Sequence, residues 1–358
     1  MTAVLPWCFG SACLPETGAA GAKAALVISR LSFLYGSAAA ATTVATGGLD
    51  VWDPLSPQIR VLVANDIRGD VPAVLADGTF AYGGKRWRGA PSTVGMPGGR
   101  MALVTTIDVD LYLQGVVPLE SPASWPAAAL EAQAIVARTF ALARRTLSRP
   151  YDVSASEADQ RWGGVEAEAP SSNAAIFATR GRTLLYGGGP AAVFYSACCG
   201  GHTADIVASW NGQPLAYLRG VVDPYCVPAP EYRWSRAVPL DRALAAFGAR
   251  TGGTLSSVAL TDADQTGRPH DVVLSGATAT TIPVADFRKA LGSDAVRSLW
   301  LRSVRVDLAQ AGPRLLIEGS GRGHGIGLCQ WGAKYFAAAG ASAAEILAFY
   351  FPGTTLSG

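Results

Sequence analysis

Tyr112-Leu113-Gln114-Gly115-Val116-Val117-Pro118-Leu119-Glu120-Ser121-Pro122-Ala123-Ser124-Trp125-Pro126 sets one acid among apolar residues, in a loop stiffened by Pro118 and Pro122. Apolar surroundings penalise the charged form of a carboxyl, which makes Glu120 a candidate general acid near neutral pH. A helix-capping or solvated glutamate is the competing reading of the same position. Pro126 suits the first position of a helix, with Ser124 or Trp125 placed to cap it. Beyond it Leu130, Ala134, Ala137 and Ala141 recur at helical spacing, as do Ile135 and Leu142. The stripe is alanine-rich, which predicts an element packed closely against it.

Outward from this helix the pattern changes character. Upstream, short strand-like runs at 58–63, 71–75 and 100–109 are split by Gly and Asp, after a Pro-rich linker at 53–57. Residues 150–235 are irregular and hold much of the Trp, Cys and paired Gly. Further on, helices are expected near 240–247 and 284–291, and strands near 258–261 and 271–274. A glycine-rich turn follows, then a helix at 330–339 and a last one opening on Ser342, with Glu345 completing a capping box. Mixed short strands and helices without regular βαβ alternation predict an α+β fold around a substrate cleft. The expected organisation is a body built from 51–235 plus 315–358, with 236–314 inserted as an α/β satellite.

The chain has 358 residues and 29 Lys+Arg against 27 Asp+Glu, a net charge of +2. Near-neutral balance argues against nucleic acid as a partner, and 49% hydrophobic with 16% charged residues argues against general disorder. Residues 24–45 are apolar but broken by Arg30, short of the run of about 20 that a membrane span needs. Arg30, the apolar 31–35 and Ala38 to Ala41 read instead as the end of a signal peptide, with a frayed helix as the alternative. Residues 1–50 are therefore expected to be a targeting segment, and the protein exported to the periplasm or cell envelope. Leu14-Pro15-Glu16-Thr17-Gly18 matches the sortase pentapeptide, a signal that works at a C-terminus, and is read as coincidence.

Common site motifs are missing: there is no Walker loop, no G-x-G-x-x-G after a strand, no G-x-S-x-G and no H-E-x-x-H. Gly319, Gly321, Gly323, Gly325 and Gly327 alternate strictly, which suggests a backbone that another surface, such as a sugar chain, approaches closely. His324 lies inside that run and is either site-lining or a satisfied loop histidine.

Four stretches together resemble the sporulation protein D / amidase enhancer (SpoIID/LytB) family. The first is the opening stretch, running on through Gln133 to Arg138-Thr139. The second is Tyr151-Asp152-Val153 with Gln160 and Gly163-Gly164. The third is Phe194-Tyr195-Ser196 and Cys199-Gly200-Gly201-His202-Thr203, followed by Tyr217-Leu218 and Asp223-Pro224-Tyr225-Cys226. The fourth runs from Gly321-Arg322-Gly323-His324-Gly325 through Gln330-Trp331-Gly332-Ala333 to Tyr350-Phe351-Pro352-Gly353-Thr354. They are in order and span about 58–356.

The resemblance implies a peptidoglycan lytic transglycosylase with Glu120 as its catalytic acid/base. It implies glycan strands as substrate, contacted by Arg138, Tyr195, His324, Gln330 and Tyr350; if the Glu120 loop does not fold back along the helix, Arg138 is instead a structural ion-pair residue. Trp125, Trp162, Trp210 and Trp331 either stack on sugars or belong to the core. No cofactor and no metal is called for. Where some relatives carry Cys and His after the Tyr-Asp pair, this chain has Ser154, Ala158 and Asp159, so their zinc site does not carry over. Ser121 stands where the family pattern has Met. Cys199 and Cys226, in matched stretches of an exported chain, are read first as a disulfide. A zinc held by Cys199, His202, Cys226 and Cys329 is one alternative, and free thiols are the other. The enhancer branch of the family implies another function, a non-catalytic wall-binding protein that stimulates a cell-wall amidase. A hydrolase of some other polysaccharide would need a second carboxylate, for which Asp152, Asp205 and Asp223 are candidates.

Overall fold

Ile59, Val61 and Leu62 turn inward from the strand Gln58–Ala64. In the computed structural model, which describes residues 57–67, 69–210, 212–308 and 312–357, this strand lies inside a four-stranded sheet. It runs antiparallel to Arg100–Asp108 and parallel to Val153–Ser154, and Ala90–Met96 forms the outer edge beyond Arg100–Asp108. The targeting segment, the sortase-like pentapeptide and the linker up to residue 56 lie outside the described residues. The strand expected at 71–75 does not form: Val71, Val74 and Leu75 are exposed, and Pro72 has no N–H to offer a ladder.

The sheet feeds its last strand directly into the helices. Asp108 caps helix α1 (Val109–Gln114), its carboxylate accepting the backbone N–H of Asp110 at 2.8 Å and of Leu111 at 3.1 Å. The single-turn α2 (Val117–Glu120) follows, then α3 (Ala127–Ala143). Pro126 sits at the cap of α3 rather than inside it, and no side chain caps the N–H groups there. Ala132, Ala134, Ala137 and Ala141 are fully buried, and α4 (Pro170–Ala178) packs along α3 at the close range these small side chains permit. After α5 (Ile206–Trp210) come α6 (Leu240–Thr251) and α7 (Val284–Leu291). Two C-terminal helices, α8 (Gln330–Ala338) and α9 (Ala343–Tyr350), return to α3. The Ser342/Glu345 capping box forms as expected, with Glu345 accepting the Ser342 N–H at 2.8 Å.

Helices and short strands in several small sheets make this an α+β fold. One hydrophobic core surrounds α3. A second runs from Trp234 to Ile317, filled by Phe247 and Phe287 stacked 5.2 Å apart. Two three-stranded antiparallel sheets frame the second core, one of them holding Trp234–Pro239, Arg314–Ser320 and Trp300–Asp307. Among the described residues no helix is long and apolar enough to cross a membrane.

The alternating glycines leave the second core and come back to the first. Gly321, Gly323, Gly325 and Gly327 all have positive φ. A Cβ at Gly321 would meet the Cys198 carbonyl, one at Gly323 would stand 2.9 Å from the Ser196 Cβ, and one at Gly327 would meet the Phe194 carbonyl. The close surface is thus the protein's own 194–198 segment, not a sugar chain. The run ends as Leu328–Cys329 pairs in parallel with Tyr195–Ser196.

Candidate active site

Two backbone bonds hold the end of α2: Glu120 N–H to the Val116 carbonyl at 3.2 Å and Ser121 N–H to that of Val117 at 2.9 Å. Glu120 is half-buried, so its carboxyl is partly desolvated. Burial pushes its pKa above the ordinary carboxylate value. Three hydrogen bonds to the carboxylate work the other way, from the Arg161 backbone N–H, the Tyr195 hydroxyl and the Gln330 amide. The Arg161 segment is pressed into place: Gly163 N–H bonds the Gly115 carbonyl at 2.9 Å, and a Cβ at Gly115 would lie 2.6 Å from the Trp162 ring.

Each side-chain donor is itself positioned by buried amides. The Tyr195 hydroxyl accepts from Gln160 Nε2 at 3.2 Å, while Gln160 Oε1 accepts from the Tyr112 hydroxyl at 3.4 Å. Gln330 Nε2 donates to Gln133 Oε1 at 3.3 Å, and that same oxygen accepts from Ser121 Oγ at 3.4 Å. Ser121, the departure from the family pattern, is therefore wired to the acid through Gln133 and Gln330. Sequence reasoning assigned no role to Gln133 or Gln160. The available signal was chemical: Gln133 is a fully buried amide on an otherwise apolar helix face, and such a group requires a partner.

The predicted residues separate into two groups. Tyr195 and Gln330 meet Glu120 directly. His324 is joined to them through Tyr195, whose backbone carbonyl bonds its imidazole, while His324 Nδ1 accepts the Ile326 N–H at 3.0 Å. Burial pushes the His324 pKa down to about 4, so the ring is neutral at pH 7. Trp210 covers it, the ring centres 4.8 Å apart.

Arg138 and Tyr350 depart from expectation. Arg138 is buried, bonded to Asp110 at 2.7 Å and to the carbonyls of Arg182 at 3.1 Å and Ile176 at 3.2 Å, so its donors serve the protein interior. Tyr350 is buried too, its hydroxyl donating to Asp223 at 3.0 Å. Trp162 is core, against Trp87. Trp125 and Trp331 are half-exposed, 5.0 Å apart, with the Lys334 ammonium 4.4 Å from the Trp331 ring. They form a ledge beside Gln330.

The aspartates considered as second carboxylates are all buried and engaged. Asp152 pairs with Arg60 at 2.8 Å, Asp205 with Arg219 at 3.0 Å, and Asp223 with Tyr350. Cys199 and Cys226 are free thiols, their sulfurs 3.6 Å apart. Cys329 and Asp223 converge on the same point, and the ligand atoms of these four residues lie within 4.8 Å of one another. His202 is not among them; its Nδ1 stands 2.7 Å from the Thr203 carbonyl oxygen.

Comparison with known proteins adds to this geometry. A family model described as stage II sporulation protein matches residues 97–186, a span holding Glu120, Gln133 and Gln160. An uncharacterised protein of Brachyspira hyodysenteriae is 32% identical over 262 residues, covering 72% of this chain and 68% of the relative. Stage II sporulation protein D of Bacillus subtilis is 26% identical over 271 residues, 71% of this chain and 76% of that protein. The amidase enhancer of Bacillus subtilis is 28% identical over 296 residues, 68% of this chain but only 40% of that protein.

Proposed function

Since the chain belongs to the stage II sporulation protein D (SpoIID/LytB) family, we propose that it is an exported peptidoglycan lytic transglycosylase whose acid/base is Glu120. Relatives named for sporulation and for amidase enhancement support a cell-wall role. The observation that carries the finer reading is the half-buried Glu120 carboxyl with its pKa raised by burial, while Asp152, Asp205 and Asp223 are engaged elsewhere. A hydrolase needs a second carboxylate to attack or to activate water. A lytic transglycosylase does not, because its nucleophile belongs to the substrate.

The steps balance on one carboxyl. Protonated Glu120 gives its proton to the glycosidic oxygen as the bond from C1 of the muramyl residue breaks. The 6-hydroxyl oxygen of the same residue bonds to C1, and its proton passes to Glu120. The carboxyl ends as it began, no water is consumed, and the product carries a 1,6-anhydro ring. Holding nucleophile and electrophile in one sugar gives the rate advantage of an intramolecular reaction. Tyr195 and Gln330 fix the carboxyl and stabilise its transient anion.

Glu120→Gln is expected to retain binding to purified glycan strands and to abolish release of anhydro ends, read by mass spectrometry. Cutting that survives the substitution overturns the proposal. A second reading, a wall-binding protein that stimulates an amidase, is favoured by the three donors on the carboxylate, which also suit a permanently ionised, non-reacting group. Under that reading Glu120→Gln leaves amidase stimulation unchanged, and wild-type protein releases no anhydro ends.

A further inference from the structure

We propose that Cys199, Cys226, Cys329 and Asp223 form a buried site for one zinc ion. Their ligand atoms all lie within 4.8 Å of one another, and all four residues are buried. A tetrahedral zinc with Zn–S near 2.3 Å sets its sulfurs about 3.8 Å apart. The Cys199 and Cys226 sulfurs are 3.6 Å apart, close to that edge. Asp223 Oδ2, 3.1 Å from the Cys199 sulfur, needs to withdraw by only about half an ångström to reach the matching S···O edge. Three thiols with one carboxylate is a soft donor set, which favours zinc over magnesium or calcium.

The surroundings are arranged as an outer shell. The Cys329 sulfur accepts backbone N–H groups from Cys199 at 3.2 Å and Gly332 at 3.3 Å. Asp223 Oδ1 accepts the N–H of Tyr225 at 2.9 Å and of Cys226 at 3.2 Å, and the Tyr350 hydroxyl bonds Oδ2 at 3.0 Å. Such bonds orient ligands and disperse the charge of thiolates. Three thiolates, one carboxylate and Zn²⁺ leave two negative charges, partly offset by the buried guanidinium of Arg268, which donates to the Cys199 carbonyl at 3.0 Å. Binding releases the three thiol protons to water and involves no change of oxidation state.

The site is structural and positioning. Its ligands come from three separate segments, and Cys329 directly precedes Gln330, the amide that bonds Glu120. Zinc would therefore lock the start of α8 to the segment that ends in Tyr225-Cys226. The inference stands apart from the reading of Glu120 and would survive its failure. Cys198 is a neighbour, its thiol hydrogen-bonding Cys226 and Cys329, and is placed outside the ligand set.

The test uses the full chain, purified without chelator or reductant. About one zinc per chain is expected by elemental mass spectrometry, falling to near zero in Cys226→Ser and Cys329→Ser. Asp223→Asn should weaken zinc binding at least tenfold, whereas Cys198→Ser should leave it unchanged. Cobalt(II) exchanged into the wild-type chain should show an intense thiolate-to-metal band, a readout that does not depend on how the variants fold. Metal-free protein with Cys199 and Cys226 resistant to alkylation until reduced would overturn the proposal in favour of a disulfide. Loss of zinc in Cys198→Ser with full retention in Asp223→Asn would overturn the donor set.

Discussion

Tyr195 acts through two of its ends. Its hydroxyl bonds the Glu120 carboxylate, and its backbone carbonyl bonds His324. The hydroxyl favours the ionised acid, so removing it raises the Glu120 pKa further above the ordinary range. A general acid must be protonated to act, so under the proposed lytic reaction cutting should be lost as pH rises through that pKa. Tyr195→Phe is expected to move this alkaline limb upward by about one pH unit, since a hydrogen bond to a charged group is worth about 1.5–3 kcal/mol. The pH dependence of anhydro-end release measures it, and an unmoved limb would remove Tyr195 from the acid's hydrogen-bond set. His324, with its pKa near 4, contributes no titration between pH 5 and 8.

Helix α8 begins with Gln330, whose amide bonds Glu120, and with Trp331 half-exposed next to it. If Trp331 and Trp125 stack on sugar faces, Trp331→Ala should weaken pelleting with insoluble glycan strands about tenfold, a loss of about 1.4 kcal/mol. Cutting at saturating substrate should change far less, which separates a stacking ledge from a catalytic residue. At this scale much was legible in advance. The alanine stripe of α3 and the capping box of α9 follow from periodicity and local chemistry, whereas Glu120, expected in a proline-stiffened loop, stands at the end of the single-turn α2. Long-range partners do not. Arg138 could be assigned from its position either to the glycan site or to a structural ion pair, and only the fold, which buries it on Asp110, shows the pair; Tyr350, expected to line the groove, has its hydroxyl taken by buried Asp223. The apolar 71–75 run reads as a short strand but joins no sheet among the described residues.

Among the described residues, the hydrogen-bond partners of Glu120 (Arg161, Tyr195 and Gln330) belong to segments around the first core rather than the second. Opening a cavity between the stacked rings by Phe287→Ala should cost about 3–5 kcal/mol of stability. Cutting per folded molecule should persist, read by denaturant titration beside anhydro-end release. A fall in specific activity below half would mean that the second core also shapes the acid. The glycine run carries a different lesson for anyone reading tolerance to change as a map of function. Its residues fold a seam where two lengths of one backbone lie almost without a gap, and larger side chains there would force the lengths apart. A saturation-mutagenesis survey should therefore score Gly321, Gly323 and Gly327 as severely as Glu120, although their intolerance is mechanical and owes nothing to any ligand.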